Sequence, residues 1–554
     1  MIILFQSVAL AWVNATLFDF RGRLCQGIAN LTTWPVTETL EDQLNPIGTV
    51  VANTNTSTSP TLLIEFQCYA NNVVYPPYQK IVELAADNTK DDVLVRVLLM
   101  EKFNESQFKR LKSILGKDPL CPIFELDKEF VWRLRYECRE YFPHTLGKLL
   151  NCVKWNCKED IVKLQVLLQA WSPLEPELAL ELLDFNYADQ KVREFAVRCI
   201  DQMNDGELGH YLLQLVQVLK YESYLDCHLA KFLLKRALKN QAIGHTLFWL
   251  LKAEMHNPEV SVKFGLMLEA YLRGAPEHIQ SLQKQVEALS KLKTITSLLY
   301  NVDRDQKARG IEMMHQCLQQ KTYVYALSKL TSPLDPRYKL KNLRIEKCKY
   351  MDSKMKPLWL DFENMDELGA PVKMIFKNGD DLRQDMLTLQ LIRFMDRIWK
   401  QNGLDLKMIP YGCLSTGNNV GMIQVVENAV TLANIQKIRG AITGALGKTC
   451  ILDWLIKCNP KDQMDEVTKR FTLSCAGYCV ATYVLGIGDR HSDNIMVTRT
   501  GQLFHIDFGH ILGNFKRRFG IRRERVPVVL TDHFVHVITK GRIDCKAEDT
   551  EEYK

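Results

Sequence analysis

No stretch of the 554-residue sequence holds the roughly 18 consecutive apolar residues that a membrane-spanning helix needs. The apolar start, MIILFQSVALAWV, has no basic flank and runs on into strand-like sequence over residues 14–18, so it is not expected to act as a secretory signal and the sequons at Asn14 and Asn30 are expected to stay unused. Sixteen cysteines are present, but the nearest pairs, Cys152 with Cys157 and Cys475 with Cys479, do not have zinc-ribbon spacing. Most sit in apolar helical patterns where buried free thiols are ordinary, which points to a reducing, cytosolic setting. Excess charge of one sign is also missing. The formal net charge of +6 and pI near 8.4 are modest for this length, so a site for an anionic partner has to come from local clustering.

What is present falls into blocks, and the length alone implies several domains. Residues 1–73 carry β-branched and aromatic runs separated by polar turns, the pattern of the closing part of a β-sandwich whose domain is expected to begin before Met1. Over 74–275 the pattern becomes helices of 10 to 20 residues with short connections, an α-solenoid. Leu212, Leu215, Val216 and Leu219 share one helix face, as do Ala230, Leu233, Leu234, Ala237 and Leu238; breaks fall near Trp171, Asn204 and Gly274. Single residues such as Cys227, His228 and His245 are read there as packing. Glu125, Asp127 and Glu129 open one helix, either as a charged first turn suited to the macrodipole or as a docking patch for a basic partner. A helical linker is expected over 276–339. Residues 340–426 are strand-rich, with strands at 357–362, 372–376, 406–409 and 422–426, interrupted by an amphipathic helix at 382–400 with Asp380 and Asp381 as cap candidates. Residues 427–554 read as a helical half that includes a helix at 465–485.

The chemistry gathers in 485–527. Gly488-Asp489-Arg490-His491 with Asn494, followed by Asp507-Phe508-Gly509 after a short strand at 503–506, resembles a kinase catalytic loop and its metal-binding triplet. Asn494 and Asp507 offer the hard oxygen ligands suited to Mg²⁺ bridging nucleotide phosphates. Asp489, His491 and His510 are the candidates for base or charge stabiliser, and Arg490 reads as a structural ion-pair partner. Lys377 ends an apolar strand with Asp380 three and Asp385 eight residues on, a lysine–carboxylate arrangement that orients phosphates; spacing does not separate the two acids. Ser353 lies in a turn where a phosphate-covering loop belongs, although the turn lacks G-x-G-x-x-G and is equally well a plain surface turn. Residues 424–427, with Val425 and Val426, suit a hinge that bonds an adenine edge, and Tyr411, Ile423, Met496 and Ile506 are wall candidates that are equally ordinary as core. Finally, 516–525 hold six basic residues out of ten in the activation-loop slot, where Lys516, Arg517, Arg518, Arg522 and Arg523 would neutralise a multiply anionic acceptor. That position weighs against a nucleic-acid reading.

With these strings in view, the sequence resembles the catalytic subunits of class I phosphoinositide 3-kinases, nearest the beta and delta forms, over nearly its whole length. The resemblance implies a multidomain α+β chain: a partial C2 domain, a helical domain, and a two-lobed kinase domain (lobes at 340–426 and 427–554) lacking its terminal helices. It implies transfer of the ATP γ-phosphate to the 3-hydroxyl of phosphatidylinositol 4,5-bisphosphate with Mg²⁺. Lys377 and Ser353 would meet phosphates, Asp385 and Tyr411 the inner pocket, Val426 adenine, and Lys516 and Arg523 the headgroup. A cytoplasmic protein recruited to the plasma membrane is implied, with an SH2-containing regulatory subunit as a partner through the C2 and helical domains. The adaptor- and Ras-binding domains of the family are missing from the sequence, so Ras is not expected to bind. The alternative is a truncated, non-catalytic form acting as a binding scaffold.

Overall fold

The structure, a computed structural model, describes residues 11–35, 53, 55–77, 79–81, 83–84, 103–118, 121–184, 186–438, 448–514, 517–518, 521–522 and 528–542. The chain divides into two compact units, Met1–Ala275 and Pro276–Lys554.

In the first unit Gly27–Thr32 pairs antiparallel with Thr61–Phe66 without a register break, and Ala11–Trp12 pairs with Trp34–Pro35. Trp12 and Trp34 stack with ring centres 6.4 Å apart. Helices then follow from Glu105 to Gly274, and local chemistry sets their starts. Asn104 and Asn204 form capping boxes with Gln107 and Glu207, Asp189 and Asn240 accept first-turn N–H groups, and Pro176 and Pro258 open their helices where a missing N–H costs nothing. Leu212, Leu215, Val216 and Leu219 are fully buried, as the helical period requires. On His228–Lys239, Leu233 and Ala237 are buried but Leu238 is exposed: it lies one further step of the helical turn beyond the buried face. His245 is packed, and the Cys227 Sγ accepts the Ala230 N–H at 3.4 Å. His228 departs from the packing expectation: it lies at the surface, 3.8 Å from Glu194. Every cysteine among the described residues is a free thiol, and no helix among them is long and apolar enough to cross a membrane.

The second unit opens with the helices Pro276–Tyr300, Lys307–Leu318 and Lys321–Ala326. A seven-stranded antiparallel sheet follows, in the order Cys413–Gly417, Val420–Gln424, Val372–Asn378, Leu358–Asn364, Lys339–Leu343, Leu330–Thr331, with Lys349–Tyr350 also on Leu358–Asn364. Two expectations are corrected here. The linker is not helical throughout, because Leu330–Thr331 already pairs with Leu340 and Lys339. No strand forms at 406–409, where Lys407 turns left-handed (φ 50°) and Pro410 removes a ladder donor; the sheet edge is Cys413–Gly417 instead. The helix Arg383–Gln401 starts beside Asp381, whose Oδ1 accepts the Arg383 N–H at 3.0 Å.

The last part is not wholly helical either. Leu432–Ile438, Cys450–Cys458, Met464–Val484 and Asp532–Ile538 surround a core containing Phe471, Tyr478, Phe504, Phe508 and Phe534. Within it Ala429–Thr431, Ile495–Thr498 and Leu503–His505 make a three-stranded antiparallel sheet.

Candidate active site

Where Met464–Val484 ends, two chain segments zip together. The Leu512 N–H donates to the Leu485 carbonyl at 2.9 Å, and the Gly488 N–H to the His510 carbonyl at 2.9 Å. Gly486 permits the approach: its φ is +55°, and a Cβ there would lie 2.9 Å from the Gly513 nitrogen. The paired segments present Asp489 and Asp507, with φ values of 57° and 59°. Left-handed backbone costs a residue with a β-carbon roughly 1–2 kcal/mol, so the surroundings must hold both in place.

Arg490 is the main clamp. Its Nε donates to the Gly488 carbonyl at 2.9 Å, Nη1 to the Ile506 carbonyl at 2.7 Å, and Nη2 to the Asp507 carbonyl. The guanidinium carbon also lies 5.5 Å from the ring centre of the fully buried Phe508. Burial lowers the Arg490 pKa, which Asp507 and Asp489 partly offset. The expected ion-pair partner is therefore a carbonyl clamp.

Asp385 supplies a second hold from the first turn of Arg383–Gln401. Its Oδ1 accepts the Phe508 N–H at 3.1 Å, tying the helix to the Asp507-Phe508-Gly509 backbone. Burial raises the Asp385 carboxyl pKa, opposed by that N–H and by the Lys377 charge. Lys377, at the end of Val372–Asn378, has its Nζ 3.3 Å from Asp380 Oδ2. The ambiguity left by spacing is resolved: Asp380 takes the ion pair and Asp385 holds the triplet.

Asn494 is buried; its Nδ2 donates to the Asp489 carbonyl at 2.8 Å and its carbonyl accepts the Ile506 N–H at 3.0 Å. With Nδ2 committed, Oδ1 remains as the amide acceptor. Asp507 is exposed. Among the described residues no three His, Cys, Asp or Glu side chains form a metal cage. A single carboxylate and an amide oxygen fit a small hard cation that completes its shell with phosphate and water.

The two histidines differ. His491 Nδ1 accepts the Asp493 N–H at 3.2 Å, which places the proton of the neutral ring on Nε2. His510 Nδ1 is 3.1 Å from the Asn514 carbonyl, which must accept from it, so Nε2 of the neutral ring holds the lone pair. Ile423, Val426, Met496 and Ile506 are partly buried against one core, and Tyr411 is buried edge-on to Phe504 at 6.3 Å, with its hydroxyl pKa raised by burial. The Val425 N–H donates to the Lys373 carbonyl at 3.2 Å, which leaves Val426 as the hinge candidate. Ser353 is exposed in the turn between Lys349–Tyr350 and Leu358–Asn364.

Residues 371–553 match the family model of phosphatidylinositol 3- and 4-kinases, and residues 100–284 match the accessory (PIK) domain of the phosphoinositide 3-kinase family. The chain belongs to the phosphoinositide 3-kinase family. It is 42% identical over 532 residues to phosphatidylinositol 3-kinase 1 of Dictyostelium discoideum, covering 96% of this chain and 33% of that protein. It is 38% identical over 566 residues to phosphatidylinositol 3-kinase 2 of the same organism, covering 96% of this chain and 30% of that protein. The chain thus spans about a third of the length of these curated relatives.

In this family member the kinase match takes in every candidate named above except Ser353, which lies before residue 371. In the basic segment Arg517–Arg518 pairs antiparallel with Ile521–Arg522, while Lys516 and Arg523 lie outside the described residues. In the helical domain the three acids already have internal cations: Glu125 with Lys128 at 2.7 Å, Asp127 with Arg110 at 2.9 Å and Glu129 with Lys154 at 3.1 Å. That favours the charged first turn over a patch awaiting a basic partner. Sequence reasoning missed the clamp by Arg490 and the tie from Asp385 to Phe508. The only signal for the first was an arginine wedged between Asp489 and His491.

Proposed function

We propose that the chain transfers the γ-phosphate of ATP to the 3-hydroxyl of phosphatidylinositol 4,5-bisphosphate. The observation that carries the reaction type is the exposed Asp507 carboxylate held next to the buried Asn494 amide by Arg490, Asp385 and the backbone ladder. Mg²⁺, when bound to Asn494 and Asp507, would neutralise charge on the transferred phosphoryl group. Lys377 steadies the nucleotide phosphates, with Ser353 covering them. Val425 and Val426 form the hinge beside the adenine, between Ile423, Met496, Ile506 and Tyr411. His510, whose Nε2 holds the lone pair, accepts the proton of the attacking hydroxyl; His491, with Nε2–H, donates to the developing charge, and Asp489 orients the loop.

The acceptor is argued from charge. Six basic residues in 516–525 follow the metal carboxylate closely and suit a headgroup bearing several phosphates, with Lys516, Arg517, Arg518, Arg522 and Arg523 as its partners. Each basic residue near an anionic leaflet adds attraction of about 1 kcal/mol, which supports a cytoplasmic chain recruited to the plasma membrane. The N-terminal strand pairs are read as part of a C2-like sandwich and the second unit as a two-lobed kinase domain. An SH2-containing regulatory subunit remains the proposed partner of the C2-like and helical parts.

The test is a lipid kinase assay of the purified chain on vesicles containing phosphatidylinositol 4,5-bisphosphate with radiolabelled ATP and Mg²⁺, followed by headgroup analysis. The reading expects a 3-phosphorylated product that disappears in Asp507→Ala. Folded protein that labels no lipid, or labels another ring position, would sink it.

A further inference from the structure

The turn at 351–356 is anchored from behind, on elements that no part of the proposed chemistry uses. Lys356 sits in the left-handed region (φ 46°), and its Nζ donates to the Leu299 carbonyl at 2.7 Å, the Tyr300 carbonyl at 3.2 Å and the Val302 carbonyl. These are the last carbonyls of Pro276–Tyr300 and one just beyond, where a helix leaves acceptors unsatisfied and its dipole favours a cation. Asp352 pairs with Lys307 at the start of the next helix. Met355 lies over Gly379 so closely that a Cβ there would fall 1.8 Å from the Met355 Cε. The neighbouring strand end is tied to the same long helix, because the Asn378 Nδ2 donates to the Thr296 Oγ1 at 2.8 Å. Asp352, Met355 and Lys356 thus all have partners within the fold, while Ser353 and Lys354 stay exposed.

We infer that Lys356 is a positioning residue: by capping the C-terminus of Pro276–Tyr300 it holds the 351–356 turn in the shape that meets nucleotide phosphates, so that this helix sets nucleotide affinity. The inference rests on the proposed nucleotide site. An unanchored turn would have to be ordered at each binding event, and that cost appears in affinity and not in the chemical step. Phosphates gain from a turn already formed, as does Lys377 one residue before the Asn378 tie.

The experiment measures Kd for the fluorescent nucleotide mant-ATP, together with kcat and the ATP KM on lipid vesicles, using the full 554-residue chain. Lys356→Met is expected to raise Kd and KM about tenfold, equivalent to about 1.4 kcal/mol, with kcat changed by less than about twofold. Lys356→Arg, which keeps the cation and its donors, should restore most of the affinity, a rescue that a loss of bulk packing would not give. Thr296→Val, which removes only the second tie, should raise Kd by roughly two- to threefold. If Lys356→Met does not fold, the arginine and Thr296 variants decide. Unchanged Kd in Lys356→Met, or in Thr296→Val where that variant must decide, overturns the inference, as does a fall in kcat at unchanged Kd. Wild-type protein that binds mant-ATP but phosphorylates no lipid would sink the proposed reaction while leaving the affinity comparison valid; wild type that does not bind it sinks both.

Discussion

Arg490→Met tests the account of the site most directly, because it removes the clamp without touching a metal ligand or a candidate base. Three donors are lost, to the carbonyls of Gly488, Ile506 and Asp507. A hydrogen bond from a charged donor contributes roughly 1.5–3 kcal/mol, so the gross loss is about 5–9 kcal/mol. Against it stands the desolvation of the guanidinium, whose effect is visible in the lowered Arg490 pKa and which the apolar methionine does not suffer. The carbonyls left behind are partly buried and keep no cation, so the net cost resembles that of breaking a buried ionic contact, about 3–5 kcal/mol. At roughly 2–4 °C per kcal/mol for a unit of this size, melting should fall by about 6–20 °C. Asp507 would also lose its hold on a φ of 59°, and a displacement of about 1 Å at a metal ligand costs on the order of 100-fold in turnover. The assay pairs thermal unfolding with lipid kinase turnover measured well below the variant's transition. Turnover within twofold of wild type, with unchanged melting, would refute the claim that Arg490 holds the Asp507 backbone.

Two further outcomes follow from the same geometry. Burial raises the Asp385 carboxyl above its ordinary 3.8, so the folded state holds that proton more tightly than the unfolded chain; ionising Asp385 therefore costs stability as pH rises from about 3.8 through the raised folded value. Urea unfolding at pH 4 and pH 7 should show Asp385→Asn improving relative to wild type at the higher pH while losing turnover, and a stability difference independent of pH would contradict the burial argument. Gly486→Ala places a Cβ 2.9 Å from the Gly513 nitrogen at a φ of +55°, so urea unfolding should show a loss of roughly 2 kcal/mol or more, and a neutral result would mean that the two segments part easily.

The parts of the fold that could be read from the sequence are those with a local signal. Helix starts at Asn104, Asp189 and Asn204 carry their own caps, and the buried faces follow the helical period. The strand 372–378 and the helix 383–401 lie within two residues of expectation because apolar pattern and flanking acids both mark them. Elsewhere the local signal misled or was absent. The apolar Leu406, Met408 and Ile409 look like a strand, but Lys407 in the left-handed region and Pro410 break the ladder. The three-stranded sheet joins Ala429–Thr431 to Ile495–Thr498, short pieces far apart in sequence whose pairing no local pattern announces. For the site, letters identified Asn494, Asp507 and Lys377, yet spacing of three and eight residues could not choose between Asp380 and Asp385. The choice lies in three dimensions, since the strand end faces one acid while helix burial turns the other toward the Phe508 N–H.

The motif letters also hide what the site costs to build. Asp489 and Asp507 both stand in left-handed backbone, an arrangement that local propensity opposes at each position and that persists only if long-range contacts outweigh it. Those contacts come from Arg490, which reaches from one segment to the carbonyls of the other, from Asp385 on a distant helix, and from the approach that Gly486 allows. Arg490 thus serves through the planar spread of its donors and not through charge alone: Nε, Nη1 and Nη2 each meet a different carbonyl, a fork that the single ammonium of lysine cannot span. Arg490→Lys should therefore behave more like Arg490→Met than like wild type in both melting and turnover. A lysine variant with wild-type turnover would show that a cation near Asp507 is sufficient and that the fork is dispensable.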